Sequence, residues 1–177
     1  MPIEVADEMT SRPTSGPADE SDNSPTGDRW TVLAFTVGAD RYCISLSAVD
    51  AVVGVTEADP LESAPDPWNA GTVTVDGTPV RVVDLPRVFS AGTVERVDDP
   101  ALVVLTADAV GSDATGTAAE SSSQRYGWLV DDVGVTETVD PATIQPVRTS
   151  ARVIRGQVVL ESGRAMVLDE RVMHVRK

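Results

Sequence analysis

Two aspartates, Asp84 and Asp169, pose the first question of chemistry, because general acid/base work needs two carboxylates whose pKa values are pushed apart. Each precedes helix-starting sequence, LPRVF and ERVMH, so each also fits the N-cap of a short helix, where its oxygens accept from exposed N–H groups. Asp131 and Asp132 are adjacent and alternate across a strand, so they cannot act together on one face. Cys43 is the only cysteine and His174 the only histidine, which excludes a disulfide framework, a thiolate zinc cluster and any site needing two imidazoles. No Lys or His stands near Cys43 in sequence to stabilise a thiolate, so a buried, inert thiol is expected. His174, near the C-terminus, is expected at the surface. Neither G-x-G-x-x-G nor G-x-x-x-x-G-K-[ST] occurs, and nucleotide chemistry has no anchor. No catalytic, cofactor-binding or metal-binding residue is therefore assigned. Trp68, after Pro65-Asp66-Pro67, fits either a partner contact or a lid on a core.

The elements that must position these residues are constrained by composition. The 177 residues carry 28 Asp+Glu against 14 Lys+Arg, a net charge of −14. That balance argues against nucleic-acid binding, which draws its affinity from Lys and Arg releasing counterions. Lys177 is the only lysine, a bias suited to molar salt, where the Debye length is about 3 Å and an acidic surface repels itself little. A halophile's cytoplasm is the expected setting. Three Trp, two Tyr and two Phe leave few aromatics, and Val supplies roughly a sixth of the chain, so the core should be aliphatic and strand-rich. No apolar run approaches the ~20 residues of a membrane span and no basic-apolar leader opens the chain. A soluble cytoplasmic protein without direct membrane insertion is expected.

Residues 1–28 are rich in Pro, Ser, Thr, Asp and Glu with little to bury, and are expected to be a disordered acidic tail. A second polar stretch, GSDATGTAAESSSQ, marks a mobile loop at about 109–124. The folded domain is expected to span 29–177. Within it, Thr31–Val37 alternates with Leu33, Phe35 and Val37 on one face; after Gly38-Ala39-Asp40, Tyr42, Ile44 and Leu46 do the same. A second hairpin joins Thr72–Val75 to Pro79–Leu85 through Asp76-Gly77, a pair suited to the positive φ angles of a type I′ turn. The Asp76-Gly77-Thr78 tripeptide faintly resembles an aspartic-protease loop, but the turn explains it with fewer assumptions. Further strands are expected at 101–106, 125–131, 135–139, 153–161 and 164–168, with short helical turns after Asp84, Asp140 and Asp169.

A repeat lies above this pattern. Shifted by 85, Gly71, Val73, Val82 and Asp84 fall on Gly156, Val158, Val167 and Asp169; shifted by 84, Arg41-Tyr42 and Val49 fall on Arg125-Tyr126 and Val133. Two similar small β-barrels are expected, since short twisted strands hide their edges by closing on themselves.

The segments FTVGADRYCISLSAVDAVVGV, PDPWNAGTVTVDGTPVRVVDL, YGWLVDDV and AMVLDERV, in this order over roughly 30–175, resemble the CheW-like domain of chemotaxis adaptors. The marker is the glycine-bounded hairpin from Gly71 that leads into Val-Asp-Leu. The resemblance implies an all-β fold of two SH3-like five-stranded barrels with a groove between them. It implies a non-enzymatic adaptor that joins the regulatory domain of a histidine kinase to the cytoplasmic tips of chemoreceptors, at membrane-associated arrays. Gly71 at the base of the hairpin and Asp76 and Gly77 at its tip then fall in a region of partner contact. Val49, Val52, Val103, Val104 and Val133 are core by default, while the resemblance implies that some of them line the groove. Two departures stand out: Asp76 replaces the usual Arg of an Arg-Gly tip, and Ala51 precedes Val52 where an acid is usual, with Asp50 one place early. Reversing a charge repels a partner that offers a carboxylate. A divergent scaffold for another signalling complex is therefore the alternative, and an acidic all-β hydrolase using Asp84 or Asp169 the distant one.

Overall fold

A computed structural model describes residues 29–90, 93–110 and 125–174. The expected tail, 1–28, lies outside the described residues, as does the expected loop apart from 109–110, which close a 3-10 turn at Ala107–Val110. Ten strands follow in chain order: β1 Trp30–Val37, β2 Asp40–Ser45, β3 Val49–Gly54, β4 Gly71–Val75, β5 Thr78–Asp84, β6 Ala101–Leu105, β7 Arg125–Val130, β8 Asp132–Val139, β9 Ile154–Leu160 and β10 Gly163–Leu168. Three one-turn helices join them: α1 Asp59–Glu62, α2 Leu85–Phe89 and α3 Glu170–His174.

The strands form two five-stranded sheets, ordered β8-β1-β2-β10-β9 and β3-β6-β7-β5-β4. The repeat seen in the sequence is a repeat of this topology. Pairs Gly71↔Val82 and Val75↔Thr78 recur, 85 residues on, as Gly156↔Val167 and Leu160↔Gly163. The parallel pair Arg81↔Tyr126 recurs as Met166↔Tyr42, and Val49↔Leu105 as Val133↔Phe35, each next to a bulge. One chain half is thus β1–β5 and the other β6–β10, and the halves exchange strands. Each sheet takes its first hairpin from one half and its last three strands from the other, so neither half holds a complete sheet.

Three cores result. Val32, Ala34, Cys43, Val158 and Val167 fill the concavity of the first sheet. Val80, Val82, Leu102, Val104 and Leu129 fill that of the second. Between the sheets, Leu33, Phe35, Tyr42, Ile44, Val83, Val103, Leu105, Trp128 and Leu168 form the largest core. Strands β1, β2, β6 and β7 are buried on both faces, which is why they read as nearly continuous apolar runs. Four of the few aromatics run through the shared core: Phe89 stacks on Tyr42 at 4.9 Å, Tyr42 on Phe35 at 6.1 Å, and Phe35 meets Trp128 at 6.4 Å. Full burial of each such side chain contributes about 1.5–3 kcal/mol.

Three expectations are corrected. β3 had not been expected as a strand. Its burial alternates only between intermediate and exposed, and a bulge between Val49 and Ala51 breaks its register, so no residue of it is fully buried. Leu46 does not continue the inward face of β2: the chain turns into a 3-10 segment, Leu46–Ala48, and leaves Leu46 37% exposed. The eighth strand begins at Asp132 rather than Val135.

Candidate partner-docking surface

The tip of the β4–β5 hairpin is built as its sequence dictates. Asp76 has φ 49° and Gly77 φ 77°, the left-handed pair of a type I′ turn, and both are exposed. This explains Asp-Gly without catalysis. The repeat-equivalent tip, Glu161-Ser162, is held differently: the Glu137 carboxylate on β8 accepts from the N–H of Glu161 at 2.5 Å, from that of Ser162 at 3.2 Å and from the Ser162 hydroxyl, while Arg41 donates to the Ser162 carbonyl. Desolvation works to raise the Glu137 pKa, but the hydrogen bonds from Ser162 and Glu161 and the charge of Arg41 outweigh it, and the net shift is downward. The position equivalent to Glu137 in the other half is Val53, which cannot make such a clamp.

Gly71, at the other end of β4, serves the fold. Its φ is 142°, a backbone conformation that favours glycine, and a Cβ there would stand 3.0 Å from Leu61 Cδ2 of α1, so the leucine would have to give way slightly to any side chain.

The valines separate by burial. Val103 and Val104 are both 0% exposed, one in the shared core and the other in the second-sheet core, so neither offers surface to a partner. Their place on β6, covered on both faces, is the reason. Val49 and Val133 are half-buried and pack on the rim of the shared core from repeat-equivalent places on β3 and β8. Val52 is 43% exposed. Asp50, beside it, is exposed and paired with Arg125 at 2.8 Å. Trp68 is half-buried against the shared core, held by Asp66, whose Oδ1 accepts from the Trp68 N–H at 3.0 Å; it acts as a lid, over the inter-sheet core.

The two repeat-related aspartates both cap helices. Asp169 Oδ1 accepts from the N–H groups of Arg171 and Val172 at 3.1 and 3.3 Å. Asp84 accepts from the Arg87 N–H at 3.3 Å and is also fully buried, with Arg96 clamped across both its oxygens at 3.1 and 2.9 Å. Arg96 further reaches the Glu62 carboxylate at 3.8 Å and the Glu62 carbonyl at 3.4 Å. Burial works to lower the Arg96 pKa; the hydrogen bond and charge of Asp84, with the charges of Glu62 and Asp131, outweigh it and leave the net shift upward. A carboxylate consumed by a guanidinium is not a free acid or base, so the arrangement offers no carboxylate pair for hydrolysis. Arg96 was missed in the sequence because it sits in a loop with no periodic pattern.

Asp131 Oδ2 accepts from the Gly38 N–H at 2.6 Å, and Asp132 is exposed. Cys43 is fully buried on the face opposite Tyr42 and Ile44, as expected, and its pKa is pushed up to about 12, first by burial and then by the charge of Glu137. Asp140 caps its 3-10 turn at Pro141–Thr143 through the Ala142 N–H at 2.8 Å. Among the described residues, no three His, Cys, Asp or Glu side chains gather as metal ligands, and no helix is long and apolar enough to cross a membrane.

The model of the CheW-like domain family matches residues 31–173. "Chemotaxis protein CheW" of Rhizobium meliloti (strain 1021) is 29% identical over 117 residues, covering 65% of this chain and 64% of that protein, a little under two thirds of its length. The crystal structure of scaffolding protein TtCheW from Thermoanaerobacter tengcongensis superposes with a TM-score of 0.63, covering 84% of this chain and 94% of that one at 16% identity, a likeness of fold.

Proposed function

The chain belongs to the CheW-like domain family, and from that premise we propose that it is a non-enzymatic adaptor coupling chemoreceptor cytoplasmic tips to the regulatory domain of a histidine kinase. The observation that supports this reading most is the pair Val49 and Val133, apolar side chains half-buried at repeat-equivalent places on the rim of the shared core. Such a rim accepts apolar side chains of a receptor tip between the sheets, while the exposed Asp76-Gly77 tip and Val52 face a second partner on the second sheet. In molar salt exposed ion pairs contribute little, so affinity falls to apolar contact. The adaptor transmits by position: it holds receptor and kinase so that a receptor's conformational bias reaches the kinase as a population shift. It works in the cytoplasm, at membrane-associated receptor arrays.

The test is retention of kinase or receptor tip on immobilised protein in molar KCl; retention of neither refutes the assignment. Asp76 supports the alternative, a scaffold serving a different complex, because its charge is opposite to that of the family's usual tip. Asp76→Arg separates the two readings. Stronger binding of a standard kinase regulatory domain identifies a weakened family interface, and unchanged absence of binding identifies another partner.

A further inference from the structure

Each sheet ends on a hairpin strand, β9 in the first and β4 in the second, and the repeat lays one on the other: Thr72, Thr74 and Asp76 correspond, 85 residues on, to Gln157, Val159 and Glu161. These are the residues whose backbone groups face away from the sheet. A two-residue type I′ turn makes the residues that flank it, Val75 and Thr78, a hydrogen-bonded pair, so β4 bonds to β5 through Val75, Val73 and Gly71 and turns the N–H and C=O of Thr72 and Thr74 outward. Pro79, which has no N–H to give, stands opposite Thr74, where none is needed.

On β9 this outward row is closed. Gln145 exchanges both backbone bonds with Gln157, each at 2.8 Å, Ile144 lies over Gly156, and the Glu137 carboxylate accepts from the N–H of Glu161. On β4 both closures are missing. Leu61 lies over Gly71 as Ile144 does over Gly156, but it belongs to helix α1, which has no extended backbone to offer Thr72, and Val53 stands where Glu137 would. Among the described residues no backbone bond reaches the outward groups of Thr72 or Thr74, whose side chains are exposed. An open edge of this kind is a template for another strand.

We propose that the strand it takes is β4 of a second copy of this chain, antiparallel about a two-fold axis through Val73, so that the two second sheets join into one. The strand is self-complementary in that register. Thr72 faces Thr74 of the second copy on either side of the axis, each pair exchanging two backbone bonds, and the two Val73 residues, partly buried against their own second-sheet cores, meet on the axis. Charge selects the same strand. The chain carries a net charge of −14, yet Gly71–Val75 has no charged residue, and in this register Asp76 falls opposite Ala70 rather than opposite its own counterpart. The other edges are less suited: β3 carries Asp50 and is bent by its bulge, and β8 carries Asp132 and Glu137. Main-chain bonds and the valine contact are not ionic, while molar salt screens the repulsion between two acidic bodies, so the pairing suits that medium. It goes beyond the adaptor reading and does not rest on it.

The test uses the full chain in about 2 M KCl, from about 20 μM to about 1 mM, the range in which a small, transient interface associates. With rising concentration, translational diffusion is expected to slow toward that of a two-chain particle, and the amides of Thr72 and Thr74 to exchange with solvent about threefold more slowly or better. In a mixture of isotope-labelled and unlabelled copies, an isotope-filtered NOE is expected between the two Val73 Hα atoms, which approach closely across a non-hydrogen-bonded antiparallel pair. Thr74→Pro removes an outward N–H without touching a bond to β5 and should abolish the association while the far-UV spectrum stays native; if the variant does not fold, the wild-type exchange and NOE decide. Raising KCl should strengthen the association or leave it unchanged. A monomer across the whole range, contacts centred on another strand, a folded Thr74→Pro that still associates, or an association that fades as KCl rises overturns the proposal.

Discussion

Arg96→Ala is the perturbation on which the structural reading can be tested most sharply. It leaves Asp84, 0% exposed, as a buried carboxylate without its two-point partner at 3.1 and 2.9 Å. Breaking a buried pair from one side costs about 3–5 kcal/mol. The lower end applies, because the Arg96 side chain is itself 25% exposed, so water can enter its place, and Arg87 Nη1 already stands 3.9 Å from Asp84 Oδ2. An expected loss of about 3 kcal/mol corresponds to a fall of roughly 10 °C in Tm for a domain of this size. Asp84→Asn keeps a capping oxygen and strands only the partly solvated Arg96, so about 2 kcal/mol is expected. In the double variant the pair is already broken, and the cycle should return a coupling of about 2 kcal/mol. The assay is urea unfolding at fixed KCl, urea being uncharged. Repeating it at molar salt should leave the deficit in place, since a buried pair is screened far less than a surface one. The repeat supplies a control: Asp169→Ala removes a cap with no arginine paired across it among the described residues and should cost about 1 kcal/mol. A loss below about 1 kcal/mol for Arg96→Ala, or a double variant equal to the sum of the singles, would refute the reasoning.

Two further outcomes are expected. Cys43, with its pKa pushed up to about 12 inside the first-sheet core, should resist alkylation in the folded protein at pH 8 and react at a rate that rises with urea as the chain unfolds; rapid native modification counts against the placement of β2. Glu137 is depressed in the folded protein relative to its ordinary value of 4.5, so its clamp on Glu161 and Ser162 adds stability that is present above that value and lost as pH falls through the lower folded one. Glu137→Gln should therefore flatten the acid limb of the stability–pH curve, and an unchanged limb in urea titrations would show that the clamp contributes nothing.

Which parts of this molecule were legible in advance follows from burial. Strands buried on both faces, β1, β2, β6 and β7, and the Asp-Gly hairpin announced themselves through composition and turn chemistry. The three caps, Asp84, Asp140 and Asp169, were legible because capping is local and each aspartate immediately precedes its turn. β3 was hidden because a bulged, half-exposed edge strand has no buried face to give it a period. The family resemblance named Val49, Val52, Val103, Val104 and Val133 together, and burial separates them: Val49 and Val133 are half-buried beside the shared core and Val52 is 43% exposed. Val103 and Val104 could not be told from rim residues, because a valine reads the same in a core and at its edge; only the position of β6 between β3 and β7 buries them. Arg96 was invisible for the opposite reason, since its partner is twelve residues away and nothing local requires it.

The strand exchange bears on how such a molecule can act. Because each sheet is assembled from both halves of the chain, the halves cannot part without breaking both sheets, and the sheets cannot rotate against each other without repacking the core they share. That core contains the aromatic run Phe89, Tyr42, Phe35 and Trp128, whose members come from both sheets and from α2, at centroid spacings of 4.9 to 6.4 Å. Close-packed interiors are bistable or rigid rather than continuously deformable. The shared core's buried members are aliphatic and aromatic, with the indole N–H of Trp128 and the hydroxyl of Tyr42 as their polar groups; the Tyr42 pKa is pushed up to about 12, first by burial and then by the charge of Asp40. The body is therefore a strut. In the adaptor role proposed above, a signal would pass by where the partners are held, with the exposed Asp76-Gly77 tip left at the surface of the second sheet.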